Sequence, residues 1–110
     1  MKAKVDIDAG VCGFHTRAVA TSQDGQFVKF NIETDCDTIR NLAEVINEKD
    51  MVDSFAEISP VNESVILTTA QSTLKGCCAG CAVPVGLFKA MQVAAGLALP
   101  KDITIKLTKD

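Results

Sequence analysis

Tryptophan and tyrosine are absent from this chain of 110 residues, and histidine occurs once. Without those rings to stack on bases, and with a formal charge of -3 and lysines spread along the chain rather than gathered in a basic patch, the usual means of holding nucleic acid are missing. The sequence also lacks a Gly-x-Ser-x-Gly elbow, a glycine-rich phosphate loop followed by lysine, and a Glu-x-x-His pair. These absences remove the common hydrolytic and transferase constellations, so the chain reads as a binding or carrier protein rather than an enzyme. No apolar leader opens the chain: Met1-Lys2-Ala3-Lys4-Val5-Asp6 is charged from the start. The longest apolar stretch, around Ala82 to Leu99, is broken by Lys89, Gln92 and glycines. A soluble cytoplasmic protein with no membrane partner is expected. No linker, repeat or low-complexity segment interrupts residues 1–110, which read as a single domain long enough to bury a modest core.

What the chain does have is sulfur. Five cysteines occur, three of them in Cys77-Cys78-Ala79-Gly80-Cys81, ahead of an apolar segment that opens with Pro84. An odd number of cysteines without a secretion signal argues against a disulfide framework; in a reducing compartment, clustered thiols serve as ligands or redox groups. The spacing Cys78-x-x-Cys81 lets two sulfurs converge on one metal, because a turn of chain brings residues three apart to the same side. Cys12, in Gly10-Val11-Cys12-Gly13-Phe14-His15, and Cys36, in Thr34-Asp35-Cys36-Asp37, are the candidates to complete a four-thiolate shell. A free cysteine also packs well as a small hydrophobe, so Cys12, Cys36 and Cys77 taken singly are core candidates too. Cys77 replaces Cys78 if the loop turns differently. His15 reads as an exposed strand residue and a possible extra ligand.

Periodicity places these thiols on a scaffold. Lys2 to Asp8 alternates, with Ala3, Val5 and Ile7 on one face, as a half-buried strand does. A second strand follows Cys12, and Ser22-Gln23-Asp24-Gly25-Gln26 carries a hairpin turn signal. The return strand is Phe27 to Glu33, with Val28, Phe30 and Ile32 facing the core. Ile39, Leu42, Ala43 and Ile46 predict a helix from about Cys36 to Glu48, with Thr34, Asp35 and Asp37 offering capping oxygens. Met51 to Ile58 is ambiguous and ends at Ser59-Pro60. Asn62 to Lys75 suits a helix capped by Asn62 and stopped by Gly76. Pro84 starts a helix whose buried stripe is Leu87, Ala90, Met91 and Ala94, stopped by Gly96 and Pro100. Cys81 then falls at its N-terminus, where unpaired N–H groups favour a thiolate and a lowered pKa. Lys101 to Thr108 alternates Ile103, Ile105 and Leu107 against Thr104, Lys106 and Thr108, which predicts a last amphipathic strand. The expected fold is α+β: a small antiparallel or mixed sheet of three to four strands with about three helices on one face.

This arrangement is similar in outline to the iron–sulfur cluster assembly scaffold proteins, in which cysteines from a glycine-flanked strand loop, a strand-to-helix junction and the start of a late helix meet at one exposed site. The likeness rests on the order of Cys12, Cys36 and Cys81. Where those scaffolds have a histidine directly before the last cysteine, this chain has Gly80, and Cys78 takes the histidine's place. A closer resemblance is to a family of small uncharacterised cysteine-containing proteins from anaerobic bacteria and archaea. It is carried by Ala9-Gly10-Val11-Cys12-Gly13-Phe14, Asp35-Cys36, Cys81-Ala82-Val83-Pro84 and Leu97-Ala98-Leu99-Pro100. That family's members tend to have proline where this chain has Ala82. It has no established activity, so the resemblance selects Cys12, Cys36 and Cys81 as a set.

All-sulfur ligation by Cys12, Cys36, Cys78 and Cys81 suits an iron–sulfur cluster or zinc. A closed structural zinc site contributes folding free energy of about 10 kcal/mol or more in apparent terms. A chain that is 47% hydrophobic does not need that help, which favours a functional cluster for electron transfer or for cluster or metal delivery to a redox or cluster-accepting protein. Two other readings stand beside it. In one, Cys78 and Cys81 form the reversible disulfide of a thiol oxidoreductase, which leaves Cys12 and Cys36 without a role. In the other, the chain is a plain interaction module with an incidental cysteine loop.

Overall fold

A computed structural model describes residues 1–59 and 64–110. Three strands, β1 (Lys2–Asp8), β2 (His15–Ser22) and β3 (Phe27–Thr34), form an antiparallel meander, and the two-residue β4 (Val52–Asp53) pairs with the start of β3. Alternation sets the register. Ala3 lies opposite Ala20, Val5 opposite Ala18, and Ala20 opposite Phe30, so small residues of the central strand sit between larger neighbours on the core face. The chain is α+β, with helices α1 (Asp37–Ile46), α2 (Ser54–Glu57), α3 (Ile66–Thr73) and α4 (Val83–Ala94).

Helix α4 crosses β1 and β2, α1 lies against β3, and α3 packs between the two helices. Leu42, Ile46, Ile66, Leu87 and Met91 fill the resulting interior, joined by Val28 and Val83. The predicted stripe of α4 is the one buried: Leu87, Ala90, Met91 and Ala94. Gly86 permits its close approach to the sheet, because a Cβ there would come within 2.4 Å of Ile7 Cδ1. The run Gly76–Ala94 is long and apolar enough to cross a membrane by length and composition. It is not one α-helix, since Cys81 is extended (ψ 136°) between a 3-10 turn at Gly76–Gly80 and α4.

Several expectations change. The predicted C-terminal strand does not form: residues 101–110 are exposed and pair with none of the described residues, and the fourth strand is β4, from the segment whose pattern was ambiguous. Alternation supplied the tail with a strand's pattern, but strand formation also needs a partner edge, and the chain's own edges do not take it. Helix α1 starts at Asp37, leaving Cys36 as the N-cap rather than in the first turn. None of the three expected capping oxygens closes it from an N-cap position, which the cysteine occupies. Instead Thr34 Oγ1 accepts from the Cys36 amide (3.2 Å), Asp35 Oδ1 accepts from the His15 amide (2.7 Å), and Asp37 pairs with Arg40. Helix α3 begins at Ile66; Pro60 and Asn62 lie outside the described residues.

Candidate functional site

The meander places three connections at one end of the sheet: the β1–β2 loop carrying Cys12, the β3–α1 junction carrying Cys36, and the start of α4 carrying Cys81. The Cys12 loop is a tight excursion, closed by the Gly13 amide donating to the Gly10 carbonyl (2.9 Å) and the Ala9 amide to that of Phe14 (3.3 Å). Both glycines take positive φ, 95° and 75°, a region that a side chain disfavours, and this turns Cys12 out into solvent.

Cys36 is held from several sides. Its amide donates to Thr34 Oγ1, which also meets Thr16 Oγ1 (2.8 Å) between β2 and β3, and its carbonyl accepts from the Arg40 amide (2.9 Å). Arg40 Nη2 reaches back to the Thr34 carbonyl (3.0 Å). The Cys36 backbone is therefore fixed to the sheet and the helix together, and its half-buried side chain lies against the hydrophobic core.

In the late cysteine loop, the Cys78 amide donates to Lys75 (3.1 Å) and the Cys81 amide to the Cys78 carbonyl (3.0 Å). That second bond closes the Cys-x-x-Cys spacing into a turn. Cys77 and Cys78 are exposed, whereas Cys81 is half-buried beside Val83, the first residue of α4. All five thiols are free.

Burial pushes the Cys81 thiol up from its ordinary pKa, the Val83 amide pulls it partly back, and the charges of Cys12, Cys78 and Cys36 push it up further. The helix N-terminus was expected to lower this pKa; desolvation outweighs it, because α4 begins against the core. Like charges act on ionisation only from close by. Cys12, Cys78 and Cys36 are the thiols whose charges act on Cys81. Among the described residues no three His, Cys, Asp or Glu side chains already stand at the separations of a closed metal shell. The thiols are grouped but not drawn together.

Two other residues clarify the site. His15 Nε2 contacts Asp6 Oδ1 on the solvent face of the sheet, where Arg17 joins the same carboxylate (3.6 Å), so the histidine has a partner away from the sulfurs. Beside it His15, Arg17, Glu33, Thr34 and Asp35 line an open hollow of about 410 Å³. Glu57, which carried no sequence signal, is buried, and its carboxylate accepts from Ser64 Oγ (3.2 Å) and the Val65 and Ile66 amides at the start of α3. An acidic residue so placed saturates helix N–H groups. Its role is architectural.

Neither the curated proteins nor the solved structures gave a match to this chain. A family model does match, over residues 3–107, and so takes in all of the sheet but Lys2, all five cysteines and most of the C-terminal tail. The chain belongs to that family, DUF6951, a family of unknown function.

Proposed function

We propose that the protein binds an iron–sulfur cluster, or alternatively zinc, through Cys12, Cys36, Cys78 and Cys81, and serves in electron transfer or in cluster or metal delivery. The observation carrying this reading is the placement of the Cys12 loop, the Cys36 junction and the start of α4 at one end of the sheet, where the like charges of Cys12, Cys78 and Cys36 add to burial in disfavouring ionisation of Cys81. A soft cation reverses that sign, since thiolates around it are attracted rather than mutually repelled. The donor set is all sulfur, which suits iron–sulfur chemistry and zinc. Cys36 and Cys81 are anchored on the core, while Cys12 and Cys78 lie on exposed loops that can close onto a guest. Exposure of one side of the site suits exchange with a redox or cluster-accepting protein, and clustered free thiols suit the cytoplasm. The order of the cysteines also favours the outline likeness to iron–sulfur assembly scaffolds.

The test is the iron, zinc and acid-labile sulfide content, with a visible absorption spectrum, of protein purified without oxygen or chelator. Iron and sulfide in stoichiometric amount with broad visible absorption is the expected result; zinc alone selects the alternative ligand. Full thiol titre with no metal retained or taken up on reconstitution overturns metal binding and leaves dithiol chemistry at Cys78 and Cys81.

A further inference from the structure

The C-terminal tail is apolar at every second position and covers none of it. Ile103, Ile105 and Leu107 are 56%, 71% and 91% exposed. The family match continues through residue 107, so this segment belongs to the matched unit. Among the described residues, β1 is an edge strand, paired on one side only. Met1 and Ser22 exchange backbone hydrogen bonds, the Ser22 amide donating to the Met1 carbonyl at 2.9 Å. In an antiparallel ladder such pairs recur at every second residue, so Ala3, Val5 and Ile7 bond to β2. The N–H and C=O groups of Lys2, Lys4, Asp6 and Asp8 consequently point to the open side. Val5, the central core-facing residue of this strand, is only half-buried.

We propose that residues 102–108 of one copy add as a fifth strand to the free edge of β1 in a second copy, reciprocally, giving a two-fold strand-exchanged dimer. The apolar faces match: Ile103, Ile105 and Leu107 continue the face of Ala3, Val5 and Ile7, and complete the cover of Val5. Charge selects the direction. A parallel register sets Asp102 beside Lys2, Thr104 beside Lys4 and Lys106 beside Asp6, whereas the antiparallel register on the same face sets Lys106 beside Lys4 and Asp102 beside Asp8. Like charges on neighbouring strands are destabilising, so the parallel register is preferred. The tail has no proline after Pro100 and can donate throughout. It follows α4 beyond Gly96 (φ 76°), and the molecule, tail included, measures 45 Å along its longest axis against 28 and 27 Å across. Ten residues of extended chain reach roughly 33 Å, enough to cross to a neighbouring molecule. A segment that leaves its own sheet edge open and carries the pattern to fill it is suited to exchange between copies.

The experiment is light scattering after size exclusion on the full chain under reducing conditions, over a range of concentrations, with hydrogen exchange of the tail amides. The expected result is a dimer with protected amides at Ile103, Ile105 and Leu107. The double variant Ile103→Asp, Ile105→Asp becomes monomeric with an unchanged circular dichroism spectrum in the body. Lys2→Asp weakens the dimer at least tenfold, and Asp102→Lys added to it restores association. A wild-type monomer overturns the proposal, with protected tail amides meaning that the tail pairs with its own β1 and unprotected amides meaning that it pairs with nothing. A dimer indifferent to the tail variants overturns it in favour of another interface, and failure of the charge exchange to restore association overturns the parallel register.

Discussion

The two ends of the sheet are built from opposite materials. At the end where β2 turns into β3, polar side chains close the turn and the start of α2. Asp24 Oδ1 accepts from the amides of Gln26 and Phe27 (both 2.9 Å), Ser22 Oγ accepts from Gly25 (3.0 Å), and Asp53 receives Gln26 Nε2 (3.2 Å) and the Phe55 amide (3.0 Å). Ser54 joins α2 to the same turn through its Oγ on the Gln26 carbonyl (2.6 Å). At the cysteine end the loops carrying Cys12 and Cys78 are glycine-flanked and exposed; the Cys36 junction is comparably tied, and the Cys12 loop has a side-chain bond from the Gly10 amide to Asp8 Oδ1 (3.1 Å). One end invests its polar groups in holding the fold, while the other leaves its most reactive atoms uncommitted. That difference is in keeping with the proposal of a site at the sulfurs, since a site that must admit a guest cannot already have satisfied its donors among themselves.

Breaking each end should therefore have different consequences. The largest effect is expected from Cys36→Ser and Cys81→Ser, which should each abolish stoichiometric metal uptake on anaerobic reconstitution. Cys77→Ala should keep it and Cys78→Ala should lose it; equal retention in those last two variants would remove the preference for Cys78. Next comes Glu57→Ala, on the turn side, which strands the Val65 and Ile66 amides at the start of α3. A loss of about 1–3 kcal/mol is expected in urea unfolding, with Tm lower by roughly 10 °C and metal uptake per folded molecule unchanged.

The smallest effect is in pH dependence, where the two ends carry opposite signs. Amide hydrogen bonds from Gln26, then Phe27, hold Asp24 below the usual carboxylate range. A pKa lowered on folding contributes stability that is present above the unfolded value and is lost as pH falls through the folded one, below about pH 4. Cys81 is shifted upward, so its contribution is present below the ordinary thiol pKa of about 8.5 and is lost as pH rises towards the folded value. Urea unfolding of metal-free, reduced protein should show Asp24→Asn flattening the acid limb alone and Cys81→Ser the alkaline limb alone. Either variant altering both limbs would mean that the ends are not independent.

Much of the scaffold was legible along the chain. Ala3, Val5 and Ile7 announce a strand because a period of two leaves one face apolar, and Leu87, Ala90, Met91 and Ala94 announce a helix because a period near 3.6 does the same on a cylinder. The fourth strand was not legible, since Val52 and Asp53 are too short to show a period and become a strand only by meeting Phe27 and Val28. Glu57 carried no signal because the amides that it caps begin eight residues later, across a connection.

The sequence by itself determined the order and chemistry of the parts: three alternating strands, a helix beginning near Cys36, a Cys-x-x-Cys spacing and a helix started by Pro84. These follow from local rules of pattern, turn and cap, which operate within a few residues. Tertiary structure decided that the Cys12 loop and the Cys36 junction lie at one end of the sheet, that burial outweighs the helix end at Cys81, and that the strand-like tail has no partner among the described residues. Each of these depends on what lies across space. Desolvation, like-charge repulsion and strand pairing are interactions with groups that the sequence places far away and only folding, or a second copy, brings near.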